Sequence, residues 1–213
     1  EDDSMAEIIV QNLVLGMVAT NTYFLMNPET KEMLLADPAD EAEAIERKVS
    51  AMGGKPTAVL LTHGHYDHML AADAVRQKYG IQVYVHELDE PVLEDAALNL
   101  SGFWSRPYTM KADCLVKEGD VLRLAGFEIR VMHTPGHTQG SACYYFPEQK
   151  ILLSGDTLFC ESYGRTDFPT SSAGDMQKSV RRLLTELPED TAVYPGHQCS
   201  TSIDMEKRFN PLA

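Results

Sequence analysis

The 213 residues contain no apolar run approaching the ~20 that a membrane-spanning helix needs, so no membrane partner is expected. Cysteine is scarce. Cys114, Cys143, Cys160 and Cys199 are widely spread and no two form a CxxC pair. Such a set reads as reduced thiols in a cytoplasmic protein. Positive charge is short as well: 18 Lys and Arg stand against 32 Asp and Glu, a formal charge of −14. A nucleic-acid surface would carry a basic stripe, so no nucleic-acid partner is expected. The start, Glu1-Asp2-Asp3-Ser4, is acidic where a signal peptide is basic and apolar. These four residues are set aside as a remnant ahead of Met5. Residues 5–213 contain no linker, short-period repeat or low-complexity stretch and read as one domain. Apolar residues make up 44%, ordinary for a chain with a sizeable core.

Histidine and aspartate, by contrast, are concentrated. Thr62-His63-Gly64-His65-Tyr66-Asp67-His68 sets four metal-competent side chains within six residues. It follows the apolar run Ala58-Val59-Leu60-Leu61, bounded by Pro56 and Gly64, which reads as a short buried strand. Ala71, Ala72, Ala74, Val75 and Tyr79 then recur at helical spacing, with Gly80 placed as a C-terminal cap. The cluster thus sits at a strand-to-helix junction, the usual ligand position at the carboxyl end of a strand in an open α/β sheet. His63 and His65 are two apart and project to one side of an extended segment. Asp67 is expected near the start of the helix, where the dipole favours a carboxylate. Imidazole and carboxylate without a nearby thiolate suit zinc, iron or manganese.

Three further candidates lie downstream. His137 stands in His133-Thr134-Pro135-Gly136-His137-Thr138. Asp156 stands in Ser154-Gly155-Asp156-Thr157, after Ile151-Leu152-Leu153. His197 stands in Tyr194-Pro195-Gly196-His197, after Thr191-Ala192-Val193. Each follows a strand pattern and lies by a glycine, so each could reach the same sheet edge.

The set HxHxDH, TPGHT, GDT and PGH, in this order, resembles the metallo-β-lactamase superfamily and, within it, the glyoxalase II-like hydrolases. The resemblance runs from about Val10 to the end. It implies an α/β chain folded as a four-layer αββα sandwich, two mixed β-sheets face to face with helices outside. It also implies two divalent metal ions, zinc first, with iron or manganese as alternatives. His63, His65 and His137 would hold one ion; Asp67, His68 and His197 would hold the other; Asp156 would bridge both together with a water or hydroxide. A dication pair lowers the pKa of bound water from near 16 toward about 7. The implied activity is therefore hydrolysis of a small-molecule thioester such as S-lactoylglutathione by metal-bound hydroxide. Asp67 is the candidate catalytic residue, orienting or accepting the proton. A lactone is a second substrate class. A mononuclear iron persulfide dioxygenase, with two His and one Asp on a single iron, is the alternative on the same scaffold.

Arg165, in Gly164-Arg165-Thr166-Asp167-Phe168, matches the position where glyoxalase II-like proteins contact substrate, and a guanidinium suits a carboxylate there. The competing reading is a pair with Asp167 that braces the loop. Only sixteen residues follow His197, and Cys199 stands where glyoxalase II tends to carry Tyr. The expectation of a hydrolytic core therefore does not extend to glutathione specificity.

The rest of the chain supplies the frame. Strands are expected over 8–15, 20–26, 32–36 and 81–85, and over 121–124, 127–132, 142–146, 151–153 and 191–194. A first helix, capped by Asp40 with Glu43 closing a capping box, presents Ile45, Val49 and Met52 and stops at Gly53-Gly54. A later helix, capped by Asp175, presents Met176, Val180, Leu183, Leu184 and Leu187 and stops at Pro188. Residues 98–111 fit neither period and hold the one tryptophan, Trp104. They read either as a lid over the site or as satellite packing. His133 is expected to be a sheet residue or one standing behind the ligands, and His86 a surface or edge histidine; Tyr66 has no expected role.

Overall fold

A computed structural model describes residues 5–104 and 106–213. Glu1 to Ser4, set aside as a remnant, and Ser105, inside the 98–111 segment, lie outside the described residues.

The layers follow from alternation along strands that are buried on both faces. In β2 (Thr20–Met26), Tyr23 and Leu25 turn to one side and Phe24 and Met26 to the other, all of them buried. β9 (Ala142–Phe146) does the same, with Ala142, Tyr144 and Phe146 opposed to Cys143 and Tyr145. Such strands need cover on both sides, which makes the molecule four layers deep.

The first sheet runs in chain order. It comprises β1 (Ile9–Leu15), β2, β3 (Glu32–Ala36), β4 (Lys55–Leu60), β5 (Gln82–His86) and β6 (Cys114–Val116). The β1–β2 and β2–β3 pairs are antiparallel, and the remaining three pairs are parallel. A parallel pair needs a crossover, and α1 (Ala42–Met52) and α2 (Ala72–Tyr79) provide two of them. The second sheet holds β7 (Val121–Leu124), β8 (Phe127–His133), β9, β10 (Ile151–Gly155), β13 (Ala192–Pro195) and β14 (Thr201–Ser202), in the order β14-β13-β10-β9-β8-β7. Its one parallel pair, β10 with β13, is crossed by α5 (Ala173–Glu186). A two-stranded ribbon, β11 (Leu158–Phe159) with β12 (Ser162–Tyr163), and short helices α3 (Glu90–Leu93), α4 (Ser101–Trp104) and α6 (Ile203–Phe209) complete the description.

Leu25, Leu34 and Leu60 of the first sheet meet Phe127, Ile129, Tyr144 and Phe146 of the second in the middle layer. α1 and α2 cover the outer face of the first sheet, where Ile45, Val49 and Val75 pack on Phe24, Leu35 and Val59. α5 covers the second, with Met176, Val180 and Leu183 on Leu152 and Val193. Truncating a buried leucine in such a layer costs about 2–5 kcal/mol. The two mixed sheets with helices outside are the αββα architecture expected from the sequence. No helix among the described residues is long and apolar enough to cross a membrane.

Two caps differ from expectation. Asp40 does not cap α1: the cap residue is Glu41, in the left-handed region at φ 53°, and Asp40 accepts only the adjacent Glu41 N–H. The turn at Glu41 leaves Asp40 one residue too far out to reach the first helical N–H groups. Nor does Asp175 cap α5. Ser172 does, accepting the Asp175 N–H at 3.2 Å, because its short hydroxyl reaches the N–H three residues on.

Candidate metal centre

All seven candidate ligands come from loops at strand ends along one edge of the sandwich. His63, His65, Asp67 and His68 follow β4; His137 lies between β8 and β9; Asp156 follows β10; His197 follows β13. Side chains and backbone groups fix the two sheets to each other there. Ala142 N–H donates to Thr62 O at 2.9 Å and Tyr144 Oη–H donates to Leu61 O at 2.8 Å. Tyr23 Oη–H reaches Pro195 O at 2.6 Å. Asp67 is not at the start of α2, as expected, but on a separate 3₁₀ turn, Tyr66–His68, with α2 beginning only at Ala72. Its carboxylate is therefore held by side chains: Thr20 Oγ1 and the ring nitrogens of His68 and His197 at 3.4, 3.4 and 3.2 Å.

The donors fall into two groups, His63–His65–His137 and Asp67–His68–Asp156–His197, in each of which the ligand atoms lie within 4.8 Å of one another. Ligands about 2.1 Å from one ion in tetrahedral array lie roughly 3.4 Å apart. The separations here bracket that value. His65 Nδ1 is 3.0 Å from His137 Nε2, which is 3.2 Å from Asp156 Oδ2. On the other side, Asp156 Oδ1 is 3.3 Å from His68 Nε2, and Asp156 Oδ2 is 3.4 Å from His197 Nε2. Asp156 thus lies between the two groups. His63 Nε2, His68 Nε2 and Asp156 Oδ1 are buried and find no hydrogen-bond partner among the described residues. Buried polar atoms are ordinarily paired, and these three converge on the two group centres. A cation at each centre would satisfy them, so the residues present fit a metal pair.

The tautomers point the same way. Asp37, at the end of β3, accepts His68 Nδ1–H at 2.9 Å, Thr62 N–H at 2.8 Å and Thr62 Oγ1–H at 2.7 Å. The Thr62 hydroxyl proton is thereby committed, so the contact at 3.1 Å is His63 Nδ1–H donating to Thr62 Oγ1. His137 Nδ1–H donates to Arg165 O at 2.8 Å, and His197 Nδ1–H to Ala19 O at 3.3 Å. In all four rings a hydrogen bond at Nδ1 leaves the Nε2 lone pair facing the centre, the arrangement that orients ligand histidines. Asp89 buttresses from below. It is fully buried and accepts from Gly64 N–H at 2.7 Å, Thr138 Oγ1–H at 2.7 Å and Gly140 N–H at 2.8 Å. Burial raises its pKa above the ordinary carboxylate value against the pull of those donors. Asp37 and Asp89 did not stand out in the sequence. For Asp37 the signal is an Asp-Pro step directly after the apolar run 33–36, the strand-end position that the ligand turn also occupies. Asp89 has no comparable signal.

Charge is unevenly divided. Burial, reinforced by neighbouring histidines, drives His63 well below the usual imidazole range and takes His65 down to about 3. Burial also resists a proton on His68 and His197. There the Asp156 carboxylate outweighs it, raising His68 well above its ordinary value and pushing His197 up to about 10. Burial likewise opposes the charge on Asp67 and Asp156, yet the adjacent His68 holds both well below the carboxylate range. The second group thus sets two carboxylates against two histidines whose proton affinity they raise, and the first group has no such charge.

Above the donors opens a cavity of ≈ 410 Å³. Tyr66, which had no expected role, forms part of its wall, and Phe168 sets its ring edge against His65 and His137 at 5.5 and 5.9 Å. Arg165 stands at the rim, 60% exposed. Its Nε and Nη2 donate to Asp167 Oδ1 and Oδ2 at 2.7 and 2.6 Å, and its guanidinium lies 4.2 Å over the Phe168 ring. The bracing pair is therefore formed. Residues 98–111 take the packing role considered for them and also line the cavity. Leu100 and Met110 are buried in the core, Asn99 and Ser101 fix the backbone at Tyr108, and Trp104 overhangs the cavity at 59% exposure. Of its surface and edge readings, His86 fails the surface one. It is 2% exposed and stacks on His133 at 4.2 Å, because the ends of β5 and β8 meet across the sandwich edge.

Known proteins share this arrangement. The family model described as the Metallo-beta-lactamase superfamily matches residues 16–197. The chain is 36% identical over 204 residues to "Probable metallo-hydrolase YqgX" of Bacillus subtilis, covering 95% of this chain and 96% of the relative. It is 31% identical over 190 residues to "Hydroxyacylglutathione hydrolase GloC" of Haemophilus influenzae, covering 86% and 88%. Among solved structures, BLEG-1 B3 metallo-beta-lactamase superposes with a TM-score of 0.91 at 39% identity, over 95% of this chain and 98% of that one. TTHA1623 in a di-iron-bound form gives 0.84 at 34%, over 95% and 100%.

Proposed function

The chain belongs to the metallo-β-lactamase superfamily, and we propose that within it the protein is a dinuclear metal-dependent hydrolase of thioesters. The observation that carries this is Asp156, one carboxylate within ligand distance of donors in both groups. His63, His65 and His137 would hold one ion, Asp67, His68 and His197 the other, and Asp156 both. When bound, such a pair supplies a water of near-neutral pKa and a Lewis acid for a carbonyl oxygen. The chain's own residues do the rest. Asp37 and the carbonyls of Arg165 and Ala19 keep the ligand rings in the tautomer that binds. Asp67, 3.2 Å from His197 Nε2, is the group to which we assign orienting or accepting the proton. Tyr66, Phe159 and Phe168 form part of the cavity wall. The hydrolase name of the Haemophilus relative and the two irons of TTHA1623 support the reading.

Metal analysis of protein purified without added metal, followed by assay on a thioester, a lactone and a β-lactam, tests it. Two equivalents with thioester turnover is the expected result. A single iron per chain together with oxygen consumption on a persulfide substrate would replace the hydrolase by the dioxygenase alternative.

A further inference from the structure

Away from the ligands, the cavity is mainly apolar, with Ser162, Gln198 and two tyrosines as its neutral polar residues. Val18, Leu100, Trp104, Phe159, Tyr163 and Phe168 make its walls, contributed by the β1–β2 turn, the 98–111 segment and the β11–β12 region. Outside the ligand set, Arg165 is the one cationic side chain among the described lining residues, and it is already engaged: Nε and Nη2 by Asp167, one face of the guanidinium by Phe168. Met17 and Phe103, the sequence neighbours of the lining residues Val18 and Trp104, are 82% and 71% exposed. Glutathione carries two carboxylates and an ammonium, all several bonds from the thioester carbonyl. A carbonyl held at the metal centre would set that skeleton along a mainly apolar wall, whose one cation beyond the ligands is already paired with Asp167. Moving a charged group from water to such a surface without a partner is unfavourable, and the chain's net charge of −14 adds long-range repulsion of an anion. A neutral apolar group there gains roughly 25 cal/mol for each Å² it buries.

We propose that this site takes thioesters whose thiol portion is neutral and apolar, of aryl-methyl or branched-alkyl size, in preference to glutathione conjugates. The proposal rests on the thioester reading above and narrows it. Trp104 is the specificity-determining residue: it is the chain's one tryptophan, on the short helix α4, and the largest apolar side chain lining the cavity.

The same residue is the reporter. Two inert analogues, in which a methylene group replaces the thioester sulfur, would be titrated into metal-free protein while its tryptophan emission is followed. One carries the benzyl group and the other the glutathione skeleton. The benzyl analogue is expected to bind at least tenfold more tightly. In parallel, S-lactoyl benzyl mercaptan and S-lactoylglutathione would be compared as substrates of the metal-loaded protein, each corrected for its background hydrolysis. The expected result is a kcat/KM ratio of at least ten in favour of the benzyl compound, with Trp104→Ala lowering that ratio through KM of the benzyl thioester. Equal or tighter binding of the glutathione analogue, or a glutathione preference in turnover, overturns the proposal and leaves the thioesterase reading standing. Absence of any emission change with the benzyl analogue overturns it too. Tight benzyl binding with no hydrolysis of either thioester would uphold apolar recognition and remove the thioesterase reading instead.

Discussion

Gly64 lies between two candidate ligands, His63 and His65, and its N–H donates a 2.7 Å hydrogen bond to Oδ2 of Asp89, twenty-five residues away. The same carboxylate accepts from Thr138 and Gly140, immediately after His137. Asp89 therefore ties together the two loops that carry His63, His65 and His137. Replacement by Asn keeps the size but turns an amide NH₂ toward donors, and each buried donor left unpaired costs about 1–3 kcal/mol. Asp89→Asn should lower the melting temperature of metal-free protein and lose metal from the three-histidine group first on dialysis against a chelator. Retention of both equivalents and of the melting temperature would show that Asp89 does not position these loops.

Asp156→Ala should abolish hydrolysis and lose more than one equivalent of metal, since Asp156 faces donors of both groups. Two equivalents retained with near-normal turnover would show that Asp156 does not bridge.

Metal uptake should release protons. His197, pushed up to about 10, and His68, also raised, hold protons at pH 7 in metal-free protein, whereas a ligand imidazole must be neutral. Apparent affinity should therefore rise with pH from 6 to 9, and calorimetry in two buffers of different ionisation enthalpy should count the protons released. The same shift stabilises the metal-free fold. That contribution is full below the ordinary value of 6.5 and is lost as pH climbs through about 10. An affinity flat in pH with no proton release would contradict this account.

Gly196 precedes His197, and a Cβ placed on it would run into Asp156 Oδ1 and lie 2.7 Å from His68 Cε1. Gly196→Ala should thus weaken the four-donor group specifically, read as loss of one metal equivalent with the other retained. Unchanged stoichiometry would mean that the loop shifts without consequence.

Arg165→Ala should change little. The Arg165–Asp167 pair is 60% and 64% exposed, and such solvent-screened pairs contribute little to stability; the stacking on Phe168 is likewise exposed and weak. A fall in melting temperature of a few degrees with KM for an anionic thioester within about threefold of the parent is expected. A KM raised tenfold or more would instead give Arg165 a direct substrate contact.

The ligand loops were legible because their information is local. An apolar run sets a strand, a glycine ends it, and the adjoining residue types declare their chemistry, so HxHxDH, TPGHT, GDT and PGH marked the loops that converge. The α1 cap was missed because the left-handed turn at Glu41 is a property of the folded loop and not of the residue type. Asp67 was misplaced because a 3₁₀ turn and the residues after it separate His65 from α2.

By itself, then, the sequence determined the strand and helix periods, the residue types at each strand end, and through them the kind of cation the edge would attract. Only the tertiary structure decided which groups stand behind the ligands. Asp37 reaches His68 across 31 residues, Asp89 reaches Gly140 across 51, and the His137 ring is turned by the carbonyl of Arg165, 28 residues on. These partners are selected by the register and packing of two sheets, long-range quantities that no short window of residues contains. The same packing buried His86 against His133 and engaged Arg165 with Asp167 and Phe168.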